Sequence, residues 1–403
     1  MNRLYCCELV KIAQRKSLYA FLLAFLLIWC GYLNMLCSDR VMPAEQKALF
    51  EEIRRSGQYD SVLEEYEEIS AQVSALSNPL EPEKAGDPYL IPGKYGASLA
   101  EDEALLRPAA ARIRYMREYP EHIRFIQNQA QASYEEALAF RNDYEARRAL
   151  HILDAYHPEL EIRMLDDIGW TSYFQNNGYA VFILLLLALI TIPLFVSDYE
   201  TGVHALVFST QSGRGRLFFA KLLAAYTAGV AVTLIFHVFQ FACHAARFDM
   251  GQADSAIQNI SAFRFCPYSI SIFSGALLSF LWAAAGSLAA VSLLALVSCA
   301  FRKSLPSFLL SVMILGPLYG VNPAVSQREG APFSLAKELI YKNSHHFNFI
   351  SLADSAYYFS AYRNVEWFGL PVDSILCLSA VSMLIVFLSL FPAYRLFSNK
   401  RLA

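Results

Sequence analysis

The chain alternates long apolar runs with charged stretches, and the runs are too long for ordinary core helices. Ranges 17–37, 178–197, 218–244, 267–301, 304–320 and 371–393 each read as a membrane crossing, since about 20 apolar residues span a hydrocarbon core. The fifth is expected to break near Gly316 and Pro317. Ahead of the first, residues 1–16 have helical spacing. Tyr5, Cys6, Leu9, Ile12 and Ala13 share one face, opposite Glu8, Lys11, Gln14 and Arg15, which predicts an amphipathic helix lying on the membrane surface. A basic start before an apolar run also suits a signal peptide. That run is about 20 residues long with no small-x-small cleavage site, so it reads as the first crossing.

Between the first two crossings lies a long water-soluble stretch, 38–177, rich in Glu, Arg and Ala. Helical periodicity runs from Glu45 to Leu76 and again from Leu99 to Tyr156. Between these blocks, Pro79, Pro82, Pro88 and Pro92 with Gly86, Gly93 and Gly96 predict an irregular connection. Trp170, Tyr173 and Tyr179 suit a membrane interface. A second polar stretch, 321–370, carries Tyr341, Phe347, Phe349, Tyr357, Tyr358, Phe359, Tyr362, Trp367 and Phe368. That aromatic density predicts short re-entrant helices dipping into lipid. Small residues Gly275, Ser279, Ala283 and Gly286 in the fourth crossing predict close helix packing.

Composition sharpens this picture. With 56% hydrophobic and 17% charged residues, the chain is too apolar for an ordinary soluble protein. Stretch 38–177 holds 15 basic and 26 acidic residues, whereas the remainder is net positive although the whole chain is −3. An acidic insert thus sits in a basic-flanked membrane protein. Arg3, Lys11, Arg15 and Lys16, then Arg214 and Arg216, Arg302 and Lys303, and Arg395, Lys400 and Arg401 fall on one side of the predicted crossings. The positive-inside rule makes that side cytoplasmic. The expected fold is therefore an all-α polytopic membrane protein: six transmembrane helices, both termini and a short tail (394–403) inside, and a large helical extracytoplasmic insert between the first and second. The eight cysteines leave residues 38–177 empty, so no disulfide framework is expected there. Cys243 and Cys266 fall on the outer side, where a pairing competes with the better default of lone thiols in apolar surroundings.

Candidate chemistry concentrates in Ser197 to Lys221, SDYETGVHALVFSTQSGRGRLFFAK. Ser197 and Glu200 have capping-box spacing, Tyr199, Val203, Leu206 and Val207 form one stripe, and Gly213 and Gly215 end the pattern. Range 198–217 then reads as a short cytoplasmic helix and turn, with an ordinary charged loop as the competing interpretation. In the third crossing Tyr226, Thr233, His237, Gln240 and His244 form a polar stripe. It either lines a pathway or bonds to neighbouring helices as packing glue.

No catalytic site is expected. Glu64/Glu65 and Glu67/Glu68 are a solvated helix face, and the adjacent His345 and His346 diverge on a helix and cannot form an i, i+4 metal pair. HExxH and G-x-S-x-G are absent, and GRGRLFFAK lacks the spacing and ending of a phosphate-binding loop. If ATP drives this chain, another chain binds it. No feature points to nucleic acid.

These residues resemble a known family, the membrane permease subunits of ABC-2 type transporters. ELVKIAQRK, Glu8 to Lys16, looks like the family's interfacial helix before its first crossing. Glu200, Gly202, Leu206, Gly213-Arg214 and Lys221 look like its first intracellular loop, and six crossings with outer re-entrant sequence before the last are similar to its layout. The large insert departs from compact members. The resemblance covers about two-thirds of the chain and implies export or lipid-phase translocation across a bacterial plasma membrane. It further implies a cytoplasmic ATPase subunit holding ATP and Mg, and a second permease copy or related permease. Asp198, Glu200, Gly202, Leu206, Gly213 and Arg214 are the expected coupling residues. A membrane-anchored sensor or scaffold with an extracytoplasmic ligand-binding domain is the competing class.

Overall fold

The computed structural model describes residues 2–77, 87–156, 159–202, 213–326 and 346–399. It is mostly helical. The helices are α1 (Asn2–Ala13), α2 (Lys16–Cys37), α3 (Ala44–Ser56), α4 (Tyr59–Leu76), α5 (Leu99–Ala139), α6 (Asp143–Ala155), α7 (Ile168–Gln175), α8 (Ala180–Glu200), α9 (Gly213–Ala245), α10 (Ile272–Ala300), α11 (Ser304–Ser326), α12 (Ser355–Phe359) and α13 (Ser374–Asn399). An antiparallel hairpin, β1 (Asn364–Trp367) with β2 (Leu370–Asp373), precedes α13. Among the described residues, five helices are long and apolar enough to cross a membrane: Lys16–Arg40, Ala180–Glu200, Arg214–Ala245, Ile272–Ala300 and Ser374–Ser398. The chain thus has the composition of a multi-pass membrane protein. The predicted fifth crossing, Ser304–Gly320, is a shorter apolar helix. It does not break at Gly316 and Pro317, because α11 runs through both to Ser326.

Two compact units emerge. The first comprises Met1–Leu36, Ser172–Ala246 and Ile272–Ala403, the second Cys37–Thr171 and Arg247–Ser271. The predicted insert boundary therefore needs correction: residues 247–271, between the third and fourth apolar helices, fold with the insert.

The reason lies in one buried cation of the second unit. Arg112 on α5 is 5% exposed and donates to Arg163 O at 2.6 and 3.0 Å, and to Asn259 O at 2.6 Å. Burial pushes its pKa down, with Asp167 pulling the other way. Tyr115 Oη donates to Gln258 O at 2.6 Å and Tyr156 Oη to Phe265 O at 2.8 Å, so three side chains close the backbone of 247–271. Trp170, expected at an interface, is 1% exposed and donates from Nε1 to Gly251 O.

Local chemistry sets the helices of this unit. Gly57, at φ 68°, ends α3 with its N–H on Ile53 O, a left-handed cap that disfavours any side chain. Ser98 Oγ caps α5 by accepting from Glu101 N, and Glu101 Oε2 accepts from the amide of Ala97, one residue ahead of the cap. Buried Asp102 accepts from the amides of Lys94, Tyr95 and Gly96, which folds the preceding loop onto the helix. Phe50, Ile53, Leu63, Leu106 and Ile113 form the core, each contributing about 1.5–3 kcal/mol by burial.

In the first unit α10 packs against α8, α9 and α13. Its small residues permit this. A Cβ on Gly286 would stand 3.0 Å from Phe349 O, in the 3-10 turn Phe349–Ala353. Ser287, Ser292 and Ser298 each return their hydroxyls to the carbonyl four residues back, so these three hydroxyls do not face apolar packing unmet.

The described part of the aromatic stretch forms short helical turns and a hairpin. Phe349, Leu352, Tyr358 and Phe359 are buried, and Trp282 of α10 lies 5.2 Å from Phe359, so these rings pack inside the unit. Among the described residues of the stretch, Phe347, Trp367 and above all Phe368 at the hairpin tip, 93% exposed, present their rings outward. Residues 327–345, with Tyr341 and His345, lie outside the described residues. Tyr173 and Tyr179 are likewise buried.

The last helix starts at Ser374 rather than 371, because Asp373 Oδ1 accepts from Ile375 N and Pro371 belongs to β2. It continues past 393 to Asn399, through much of the predicted tail. The eight cysteines are free thiols, Cys243 and Cys266 included.

Candidate functional site

Ser197 does not begin a helix. No breaker separates Val196 from Ser197, so α8 carries its apolar span one further turn to Glu200, and Ser197 O accepts from Thr201 N at 2.9 Å. Gly202, at φ 72°, then turns the chain out of the helix, a backbone that favours glycine. Gly213 and Gly215 both lie within a helix. Gly213 opens α9, and the bare Gly215 lets Tyr394 of α13 approach, where a Cβ would meet its Oη at 3.2 Å. Arg214 and Arg216 therefore sit in the first turn of α9. Residues 203–212, with Leu206, lie outside the described residues.

What flanks this connection is a set of ties to other helices. Lys221 of α9 is fully buried, and its Nζ lies 2.8 Å from Asp198 Oδ2 on α8 and 3.6 Å from Glu8 Oε2 on α1. The same ammonium donates to Leu194 O. Glu8 Oε1 in turn accepts from Lys11 Nζ at 2.6 Å. Two carboxylates sharing a buried ammonium is a costly arrangement to break, since removing one partner strands charge in a low-dielectric site.

Glu200 Oε1 accepts from Ser304 N at 2.7 Å, placing a negative charge on the amino end of α11. Arg214 Nη1 donates to Ser398 O at 2.8 Å, a cation on the carboxyl end of α13. Around these ties, Phe218 packs on Phe195, Tyr394 and Phe397 with ring centroids 5.6–5.8 Å apart. Aromatic pairs of this kind contribute about 0.5–1.5 kcal/mol beyond burial.

Of the expected coupling residues, Asp198, Glu200 and Arg214 thus meet at one end of the unit, each holding a different helix. Gly202 and Gly213 bound the connection itself. Two participants escaped the sequence reading. Glu8 falls on the polar face of α1, yet it is 2% exposed, because α1 packs along α9 with Tyr5 Oη 3.0 Å from Thr227 Oγ1. For Lys221 the sequence gives a flanking charge and the lysine of the resembling motif, but no buried partner. Its position inside an apolar run was the available signal, since a buried lysine needs a carboxylate.

The polar stripe of α9 is bonded to its surroundings. Tyr226 Oη lies 2.6 Å from Ser292 Oγ, Thr233 Oγ1 2.8 Å from Ser287 Oγ, and His237 Nε2 2.9 Å from Tyr179 Oη. Gln240 Nε2 donates to Tyr173 O and Asn176 O, both at 2.7 Å, and His244 Nδ1 lies 2.8 Å from Gln240 O. Among the described residues, no group of three His, Cys, Asp or Glu side chains is arranged to hold a metal ion. No family model matches this sequence, and no curated protein or solved structure matches it.

Proposed function

We propose that this chain is the transmembrane permease subunit of an ABC-2 type transporter, driven by ATP bound with Mg on a separate cytoplasmic ATPase. The single observation that carries this reading is the clamping of the helix ends that precede Thr201-Gly202 and follow Gly213. Asp198 ties α8 to Lys221 of α9, Glu8 brings in α1, Glu200 reaches α11, and Arg214 reaches α13. A force applied to that connection passes directly to five helices. Such a coupling element needs this mechanical property, and an incidental loop does not. Basic residues at this end favour the cytoplasm, with both termini on that side. A second permease copy, export across a bacterial plasma membrane and an extracytoplasmic second unit complete the reading.

The experiment is co-purification of the full chain with its cytoplasmic partner, followed by ATPase assays in lipid. The reading expects a phosphate-loop ATPase to copurify. It also expects Leu206→Asp, and the double change Glu200→Lys with Arg214→Glu, to lose the membrane-chain-dependent component of ATP hydrolysis while the chain still inserts. A histidine kinase as partner, or unaltered hydrolysis in both variants, would overturn it in favour of a membrane sensor. The self-contained core of the second unit is the observation that would then carry a ligand-binding role.

A further inference from the structure

Along α9, His237 and Gln240 stand 16 and 19 residues beyond Lys221, about 24–28 Å away at the rise of an α-helix. Here the first unit borders a small cavity of about 10 Å3, walled by the 173–179 stretch at the end of α7, α9, and Ser279 of α10, whose hydroxyl bonds to that of Ser355.

Three side chains lining the cavity carry buried polar atoms with no protein partner: His237 Nδ1, Gln240 Oε1 and Asn176 Nδ2. Gln240 is 1% exposed and His237 7%. The orientation of the Gln240 amide is set, because its nitrogen donates to the Tyr173 and Asn176 carbonyls, leaving its oxygen as an acceptor. Asn176 Nδ2 is a donor. Buried groups of this kind are nearly always satisfied, by protein or by ordered solvent.

The ligand that satisfies them must give a hydrogen bond to Gln240 Oε1 and take one from Asn176 Nδ2. A metal ion or ammonium cannot accept, an anion without an O–H or N–H cannot donate, and the polyatomic anions that can are too large for the volume. His237 discriminates nothing, since Tyr179 allows either tautomer and Nδ1 then donates or accepts accordingly. The ligand is therefore a neutral molecule that does both, and the volume admits about one water.

We propose that this cavity is a built hydration site. One ordered water bridges His237, Gln240 and Asn176, completing the bonds that join the 173–179 stretch to α9.

The test uses the full chain in lipid nanodiscs, with its own water as the probe. A structure resolved well enough to show ordered waters elsewhere should show one peak within hydrogen-bonding distance of all three atoms. Solid-state NMR on 15N-histidine-labelled protein should show early water-to-imidazole transfer at His237, as fast as at an exposed ring, and Gln240→Met should slow it several-fold. An empty cavity in a map that shows other waters would overturn the proposal. So would a density too large for water, side chains turned to pair with one another, or His237 transfer as slow as in a dry core.

Discussion

Lys221 Nζ lies 2.8 Å from Asp198 Oδ2, with the lysine side chain wholly withdrawn from solvent. Because Glu8 shares the same ammonium, Lys221→Met leaves two carboxylates around an apolar side chain. That variant should lose about 3–5 kcal/mol of stability. The triple change Glu8→Gln, Asp198→Asn, Lys221→Met should recover most of the loss, and thermal unfolding in nanodiscs compares the two.

Glu200 acts on α11 through one backbone amide. Glu200→Ala should cost about 0.5–2 kcal/mol, concentrated in the first turn after Ser304. Glu200→Gln keeps an acceptor and should lose only the charge contribution, about 0.3–1 kcal/mol. Hydrogen exchange at the amides following Lys303 reads this directly, with faster exchange in the alanine variant.

Asp354, between the 3-10 turn and α12, has its carboxyl pushed up to about 6, chiefly by burial. Bonds from the Tyr357 amide and Asn177, and the nearby Arg363, hold it from rising further. A folded-state value above the unfolded one means that the native state binds the proton more tightly. Its contribution is therefore fully present below about pH 4 and fades as pH rises through about 6. Wild-type protein should show this decline in the melting of its 346–373 segment, and Asp354→Asn should flatten it.

Arg112 supplies the bonds that hold 247–271 in the second unit. Arg112→Met keeps the stem and deletes the donors, stranding the Arg163 and Asn259 carbonyls. We expect a loss of about 3 kcal/mol. Limited proteolysis should then cut within 247–271 markedly faster than in the unaltered chain.

Gly286 meets backbone at close range. In Gly286→Val the new Cβ would stand 3.0 Å from Phe349 O, where no flexible side chain can yield. A cost of about 1–3 kcal/mol is expected, seen as a lower melting temperature.

What was legible in the chain was local. Helical period marked the two blocks that hold α3 with α4 and α5 with α6, and length with apolarity marked the five span-length helices, because both depend on neighbours a few residues apart. What escaped depends on distant partners. Nothing near Asn259 announces that Arg112 will claim its carbonyl, and nothing near Glu8 announces Lys221. At the candidate site, Asp198, Glu200 and Arg214 were legible as charges flanking a turn. Their roles were not, since each bonds to a helix far along the chain. The hairpin Asn364–Asp373 was hidden by aromatic density that equally suits lipid.

The division of the second unit into two stretches sets an order on biogenesis. Arg112 leaves the ribosome 147 residues before the Asn259 that completes its bonds. At ordinary synthesis rates that interval is about 7–30 s. During it, two further apolar helices are made while one face of α5 waits unfinished. A chaperone that shields exposed helical surface would have its window there, and a chain released before Ser271 would present that face permanently.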